Sequence, residues 1–321
     1  MISKDIRNGM EFITVSNNRN LKVVFNNLGA SIYLINFCGE VMTPQVKNDA
    51  DFLNEDVRFG KNVGRVAGRI RNHTLNVDGV AYDLSCNDGT NTLHGGHDGI
   101  ATKFFNSFVE EKSDCILIKY SYLSKDKESG FPGDALINII YKIYKNHDEI
   151  NICFDVSTSK TCPVSLTTHT YFNLGDSDLN NLSLFVNADR FILLSDDIKK
   201  DKTILPVPDF LDFREKKLIS KAISESPNDS GVDHYLVLNK DANPQILLEN
   251  NRYLLKVSTD FNSSVFYTDN FSDNYETITS NLHVRRGLAI EPQISCADNL
   301  LLKPGEKYNH FIDYVFEKSR N

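Results

Sequence analysis

The sequence contains no tryptophan, three methionines and nine prolines, and none of its apolar runs approaches the length of a membrane-spanning helix. The N-terminal segment "MISKDIRNGMEFITVSNN" lacks the apolar stretch of a secretory signal peptide. The six cysteines are scattered and none forms a C-x-x-C motif, which in a chain of 321 residues indicates free thiols of a reducing compartment. We therefore expect a cytoplasmic protein without a membrane partner.

Basic residues are in the minority, because 35 lysines and arginines stand against 43 aspartates and glutamates, for a formal net charge of −8. A protein that binds nucleic acid normally presents a basic face, so we expect no nucleic-acid partner. The chain is 40% hydrophobic and 24% charged, which is typical of a globular protein rather than a disordered one. The acidic balance favours a neutral or cationic small-molecule partner, and both a monomer and a homodimer remain open.

Alternation of apolar and polar residues dominates the chain and predicts β-strands. In "EINICFDVS" (149–157), Ile150, Ile152, Phe154 and Val156 fall on one face. Further predicted strands are 21–37, 106–111, 115–123, 135–144, 189–194, 245–250, 252–260, 264–268, 287–293 and 310–318. So many short strands predict an all-β sandwich or barrel, and we expect a single domain over 1–321.

One segment has a helical pattern, so we expect one or two short helices. In "DFREKKLISKAISE" (212–225), apolar residues recur at helical spacing in the second half. Asp212 and Glu215 have the spacing of an N-cap residue and its capping partner. The pattern predicts a helix that begins near Asp212.

Polar clusters interrupt the strand pattern in five segments. They are "GRVAGRIRN" (64–72), "TLHGGHDG" (92–99), "TTHTYFNLGD" (167–176), "GLAIEPQISCADN" (287–299) and the weaker "SGVDHYLVL" (230–238). His169 lies among β-forming residues and Glu291 follows an apolar run, so we expect both near strand ends. Held there, a histidine and a glutamate can act as general acid and general base. From spacing alone, a purely structural role for each remains the alternative.

Taken together, these segments resemble the aldose 1-epimerase (galactose mutarotase) family. Its pattern of G-R-x-A-N-R-I, N-x-L-H-G-G-x-x-G, N-H-T-Y-F-N-L, E-x-Q and L-x-P-G-E-x-Y stands here, in the same order, as "GRVAGRI", "NTLHGGHDG", "THTYFNL", "EPQ" and "LLKPGEKY". The resemblance covers nearly the whole chain. It implies a large antiparallel β-sandwich, the galactose mutarotase-like supersandwich, with an open cleft for a sugar.

The resemblance also implies an activity, namely interconversion of the α and β anomers of free aldohexoses such as galactose and glucose. The partner is then a monosaccharide, and no cofactor or metal is implied. By position in the motifs, Glu291 matches the general base and His169 the general acid. His94, Arg69 and Asp233 match residues that bind the sugar.

Mutarotation requires the C1 hydroxyl to lose a proton while the ring oxygen gains one, so that the ring opens, turns about C1–C2 and closes again. We expect Glu291 on one face of the sugar ring and His169 on the other. A glutamate with its ordinary pKa of about 4.3 is ionised at neutral pH. Nearby carboxylates are expected to favour the charged form of His169.

Three departures from the family pattern affect the expected sugar preference. Gly68 and Thr168 each replace an asparagine, and Val265 stands where some relatives carry a glutamine. The loss of asparagine at position 68 and of glutamine at position 265 motivates one alternative, a non-catalytic protein that binds or senses carbohydrate. A second alternative is an epimerase for a phosphorylated hexose, which requires additional cationic side chains in the cleft. The acidic composition gives that second alternative no support.

The two histidines of "LHGGHDG" have different expected roles. His94 is the one that matches the family motif, and Gly95 and Gly96 are expected to turn its backbone inward. His97 falls at a variable position and is expected to be a loop residue. A zinc site built from His94, His97, His169 and Glu291 is a further alternative, although the chain has no H-E-x-x-H motif.

Overall fold

The computed structural model describes residues 1–195 and 201–319. Within these ranges, every pairing between named strands is antiparallel. The strands form three larger sheets and several two-stranded ladders, and the largest sheets stack on a common core. The predicted all-β class and antiparallel sandwich are confirmed.

The largest sheet in the described part of the chain has nine strands. In spatial order they are Asn106–Glu111, Cys115–Ser124, Ala135–Tyr144, Glu149–Thr158, Tyr308–Lys318, Tyr253–Thr259, Ile246–Glu249, Ser183–Val186 and Lys217–Leu218. The predicted alternation is confirmed, since Ile150, Ile152, Phe154 and Val156 are all buried. This sheet supplies one apolar layer of the core.

A five-stranded meander covers that layer. Its strands are Ile2–Arg7, Met10–Ser16, Leu21–Asn26, Ser31–Phe37 and Glu40–Val41. Phe25 packs against Tyr141 of the nine-stranded sheet with ring centroids 4.7 Å apart. The predicted strand 21–37 is wrong as one strand, because the chain turns at Gly29 and Ala30, which both have positive φ.

A six-stranded sheet carries the candidate site described below. Its spatial order is Tyr171–Phe172, Leu288–Gln293, Ser263–Tyr267, Asp233–Val237, Arg190–Leu193 and Thr203–Pro206. Short ladders pair Arg69–Ile70 with Thr92–Leu93, Asn62–Val63 with Thr167–Thr168, Thr74–Val77 with Val80–Asp83, and Cys162–Pro163 with Leu301–Leu302. The first two ladders bring the segments around Arg69, His94 and His169 towards this sheet.

The helix is shorter than predicted. It spans Ile219–Glu225, and single 3-10 turns occur at Asp49–Leu53, Arg71–His73, Ile100–Thr102, Glu128–Gly130, Asp209–Leu211 and Pro227–Asp229. The expected N-cap at Asp212 is wrong, because its carboxylate instead accepts hydrogen bonds from Arg214, with Nη2 to Oδ2 at 2.6 Å. Lys217 and Leu218 then pair with Ser183 and Leu184 of the nine-stranded sheet, so the helix begins only at Ile219.

The described residues contain no helix that is both long and apolar enough to cross a membrane. All six cysteines fall in the described ranges and are free thiols, as expected. Cys115 and Cys162 are buried, while Cys86 is exposed.

Candidate active site

A cleft of about 510 Å³ opens on the six-stranded sheet and is lined by all five residues that the sequence singled out: Arg69, His94, His169, Asp233 and Glu291. A pocket of this size accommodates a small organic ligand. The sheet places part of this wall by register. Tyr235 lies opposite Val265, and Val265 lies opposite Glu291, so the three side chains stand side by side on one face.

Glu291 and His169 are in direct contact. Their nearest atoms, Oε1 and Nε2, are 3.3 Å apart, and both side chains are almost fully buried. Backbone hydrogen bonds from His169 to Lys61 and from Gly60 to His169 fix the histidine next to the sheet. The expected placement on opposite faces of a sugar ring is wrong, because no ring passes between groups this close. The two form one wall of the cleft.

Burial sets the protonation of this pair. Desolvation, with the charge of Arg58, lowers the pKa of His169 to about 3. Desolvation and the charge of Asp233 raise the pKa of Glu291 well above its ordinary value, and Arg69 opposes this shift. The expectation that carboxylates keep His169 charged is therefore wrong for the site without a ligand. The pair holds one proton and no net charge, and burial places that proton on Glu291.

His94 lies beside His169, with ring centroids 5.3 Å apart in an edge-on arrangement. Its Nδ1 accepts a hydrogen bond from the backbone N–H of Gly68 at 3.2 Å. Desolvation, helped by the charges of His169, Arg58 and Arg69, lowers the pKa of His94 well below its ordinary value. A neutral imidazole whose Nδ1 accepts must carry its proton on Nε2, so His94 offers a donor on its other side.

Glycines shape the turn that carries His94. His94, Gly95 and Gly96 all have positive φ. A Cβ on Gly95 would overlap the backbone of Gly64, and one on Gly96 would lie 2.7 Å from Cβ of Ser85. The prediction that these glycines turn the backbone is thus confirmed. At both positions the backbone passes too close to neighbouring residues to leave room for a side chain.

Arg69 and Asp233 line the same cleft, and each is exposed to its solvent. Arg69 Nε donates to Asp88 Oδ2 at 2.6 Å, which fixes the guanidinium. Desolvation raises the pKa of Asp233, and the positive charge of Arg69 opposes that rise. Because Asp233 still contacts cleft water, its desolvation becomes complete only when a ligand displaces that water.

A metal ion has three candidate ligands here. One donor atom each from His94, His169 and Glu291 lies within 4.8 Å of the others. A metal on Nε2 of His94 would require the proton to move to Nδ1, which already faces the N–H of Gly68. His97, the fourth proposed zinc ligand, is exposed and contacts Glu55 instead, with Nδ1 3.1 Å from Oε2. The donor set therefore fits proton sharing better than zinc.

Several cleft residues were missed by the sequence reasoning. Tyr235 and Gln293 lie two residues beyond Asp233 and Glu291 on the same strand faces, so strand periodicity alone could have found them. Arg58 and Arg286 also line the cleft. Neither lies in a segment of distinctive pattern, and no signal in the sequence marks them.

Gly68 and Val265, two residues that differ from the family pattern, both contact Tyr235. Gly68 has a φ of +78°, and a Cβ there would overlap the Tyr235 hydroxyl. That hydroxyl donates to Gln293 Oε1 at 3.4 Å. Tyr235 also packs with Val265 and, at the edge of the cluster, with Cys296. The tyrosine thus occupies the space into which the family's asparagine at position 68 would project.

Comparison with known proteins matches a family model described as aldose 1-epimerase to residues 11–315. A galactose mutarotase from Sus scrofa is 31% identical over 283 residues, which cover 83% of this chain and 81% of that protein. An aldose 1-epimerase from Escherichia coli (strain K12) is 29% identical over 80% of each chain. The crystal structure of a galactose 1-epimerase from Lactobacillus acidophilus NCFM superposes with a TM-score of 0.90 at 26% identity, covering 100% of this chain and 99% of that one.

Proposed function

Because the chain belongs to the aldose 1-epimerase family of isomerases, we propose that it interconverts the α and β anomers of free aldohexoses, with Glu291 as base and His169 as acid. The contact between these two buried side chains, 3.3 Å between Oε1 and Nε2, carries the proposal. The two sugar oxygens that exchange protons, O1 and O5, are both bonded to C1. Adjacent acid and base groups therefore suit them better than groups on opposite faces.

The reaction needs two coupled proton transfers. The reactive form of the bound complex has the shared proton on His169 and Glu291 as a carboxylate, and it arises from the resting pair when Glu291 gives its proton to His169. Glu291 takes the proton of the O1 hydroxyl while His169 Nε2–H gives its proton to O5. The C1–O5 bond breaks, its electron pair stays on O5, and C1=O1 forms. The aldehyde turns about C1–C2, and the same transfers in reverse close the ring on the other face.

Burial favours the ring-opening step. After that step Glu291 is protonated and His169 is neutral, which is the distribution that their shifted pKa values favour. A raised glutamate pKa makes the carboxylate a stronger base, and a lowered histidine pKa makes the imidazolium a stronger acid. The same desolvation that makes the charged pair the less favoured form at rest makes that form more reactive towards the sugar.

Three further residues bind the sugar in this proposal. His94 Nε2–H donates to a sugar oxygen close to His169, since the two imidazoles are neighbours. Arg69, held by Asp88, donates to sugar hydroxyls, and Asp233 accepts hydrogen bonds from them. Together these groups orient C1 over the acid and the base, which contributes to the rate by proximity.

Polarimetry tests the proposal. Catalytic amounts of the protein are added to freshly dissolved α-D-galactose and α-D-glucose, and the approach to the equilibrium rotation is timed. We expect acceleration over buffer with the native chain, and a loss of about 10²–10⁴-fold in Glu291→Gln, the range of one acid–base group. Native protein that leaves the rate of every common aldose at its buffer value contradicts the proposal. Saturable sugar binding without acceleration would instead support the carbohydrate-binding alternative.

A further inference from the structure

One cation of the cleft has no side-chain partner within residues 1–195 and 201–319. Four arginines line the cleft, and three of them pair with a carboxylate of the described residues. Arg69 binds Asp88, Arg71 binds Asp201, and Arg286 binds Asp269 and Asp273. The side chain of Arg58 makes no hydrogen bond and no ion pair with any residue that the structure describes, and its Nη1 is completely buried.

An unpaired guanidinium in this position is costly. Arg58 is half-buried, and its buried Nη1 loses hydration and gains nothing in return unless a ligand or ion supplies a partner. Asp56 and Glu55 lie near enough to favour the charged form of Arg58, yet neither forms an ion pair with it. Arginine stays protonated even when desolvated, so the charge does not disappear.

We propose that Arg58 forms an anion subsite of the cleft, which binds a carboxylate or phosphate group on C6 of the aldose. The proposal rests on the proposed function, since the anionic group is carried by the sugar whose C1 reacts at Glu291 and His169. The guanidinium fork matches either anion with two parallel hydrogen bonds. Hexuronates and hexose 6-phosphates are thus the preferred substrates, while the same acid and base also interconvert the anomers of neutral aldohexoses.

The position of Arg58 supports this assignment. Its charge lowers the pKa of both His94 and His169, so it lies within electrostatic reach of the reacting centre. Arg58 adjoins Phe59, which packs on Tyr171 beside His169. Asp233 lies on the fourth strand of the six-stranded sheet counted from Tyr171, and it has Arg69 as its neighbouring cation. The anion of a bound sugar would therefore lie apart from the Asp233 carboxylate, while Asp233 remains available for neutral hydroxyls.

The acidic net charge does not oppose an anionic substrate. Exposed charges are screened beyond about 8 Å at physiological ionic strength. A desolvated arginine at the binding site is screened much less. The local unpaired cation is therefore the stronger influence on a ligand that has already entered the cleft.

The experiment compares anionic and neutral aldoses in the same assay. Mutarotation of D-glucose, D-glucuronate and D-glucose 6-phosphate is followed for the native chain, Arg58→Gln, Arg58→Lys and the control Arg190→Gln. Arg190 is an exposed arginine outside the cleft. Thermal unfolding of each variant confirms that it folds.

We expect kcat/KM of the native chain to be higher for at least one of the two anions than for glucose. In Arg58→Gln the ratio of anionic to neutral kcat/KM should fall by about 30-fold or more, the loss typical of a desolvated charge pair. Arg58→Lys should retain part of the ratio, and Arg190→Gln all of it. Preference for glucuronate alone assigns the subsite to carboxylates, and preference for the phosphate alone assigns it to phosphates.

Two outcomes overturn the anion subsite while the proposed function stands. One is acceleration of glucose with no preference for either anion, which would make Arg58 a donor to neutral hydroxyls. The other is a preference that Arg58→Gln leaves unchanged. Absence of acceleration for every sugar, neutral or anionic, is a different result, because it contradicts the proposed function itself.

Discussion

Two sets of ionisable side chains lie in the same cleft, and their hydrogen bonds are satisfied to different degrees. The Arg286 cluster, formed by Arg286, Asp269 and Asp273, is closed: Nε and Nη2 of the arginine each lie 2.7 Å from a carboxylate oxygen. The acid–base pair of Glu291 and His169 has one contact of 3.3 Å, and Nδ1 of His169 has no partner among the described residues. Polar groups that are fully hydrogen-bonded to one another stabilise the wall of the cleft, whereas groups with an unused donor or acceptor can bind a ligand.

The largest expected effect is the loss of activity when a residue of the acid–base pair is replaced. Glu291→Gln keeps the shape of the side chain but removes the base, so we expect mutarotation to fall by about 10²–10⁴-fold. Stability should not fall, because an amide needs no proton to enter the desolvated site. Polarimetry and thermal unfolding of the same preparation check both statements. A variant that loses its fold together with its activity would make Glu291 a structural residue.

The Arg286 cluster should give the opposite result. Arg286→Gln leaves the buried carboxylate of Asp269 and the half-buried one of Asp273 without their cation, and breaking a buried pair costs about 3–5 kcal/mol of unfolding free energy. We therefore expect a large drop in Tm, measured by calorimetry beside the surface control Arg190→Gln. An unchanged Tm would show that the cluster contributes little to the wall.

Substitution at position 68 should have a smaller effect on stability, and that effect depends on Tyr235. Gly68→Asn restores the family residue but drives its Cβ into the Tyr235 hydroxyl, and overpacking of this kind costs about 1–3 kcal/mol. Tyr235→Phe removes that hydroxyl and leaves ring carbon Cζ 3.4 Å from the added Cβ, an ordinary contact. The double variant should therefore be more stable than Gly68→Asn alone. Additive effects in a double-mutant cycle would contradict this coupling.

The smallest expected effect is a change in how the rate depends on pH. The active pair holds one proton, and it gains a second only as the pH falls through the pKa of His169, about 3. We expect the enzyme-catalysed rate to persist well below pH ~6.5, the ordinary histidine pKa. Arg58→Gln removes a cation that lowers this pKa, so its acid limb should move to higher pH by on the order of 1 unit. A native acid limb near the ordinary value would show that His169 is not desolvated.

Sequence patterns predicted the strands of the sheets well and the site geometry poorly. Alternation such as that of Ile150 and Ile152 reports directly which face is buried. The helix start failed because Asp212 found a closer partner in Arg214, a choice that spacing does not reveal. The cytoplasmic location, the single domain over 1–321 and the monomer or homodimer state stay predictions.

The candidate site was predicted in its members but not in its arrangement. Family motifs indicated His169 and Glu291, and the structure brings both into one cleft. Their direct contact depends on strand register. The burial that moves their proton to Glu291 depends on packing between segments that are far apart in sequence. Arg58 was missed for a related reason, because an arginine can be recognised as unpaired only when all of its neighbours in the fold are known.

Exchange between anomers at equilibrium is the most direct test of the central claim, that an adjacent, desolvated glutamate and histidine open and close the sugar ring. Saturation-transfer NMR of the two anomeric protons of galactose measures this exchange without any net reaction. We predict exchange that increases with the concentration of native protein and is lost in Glu291→Gln. Exchange that stays at its buffer rate with native protein, or that survives in Glu291→Gln, would contradict the account.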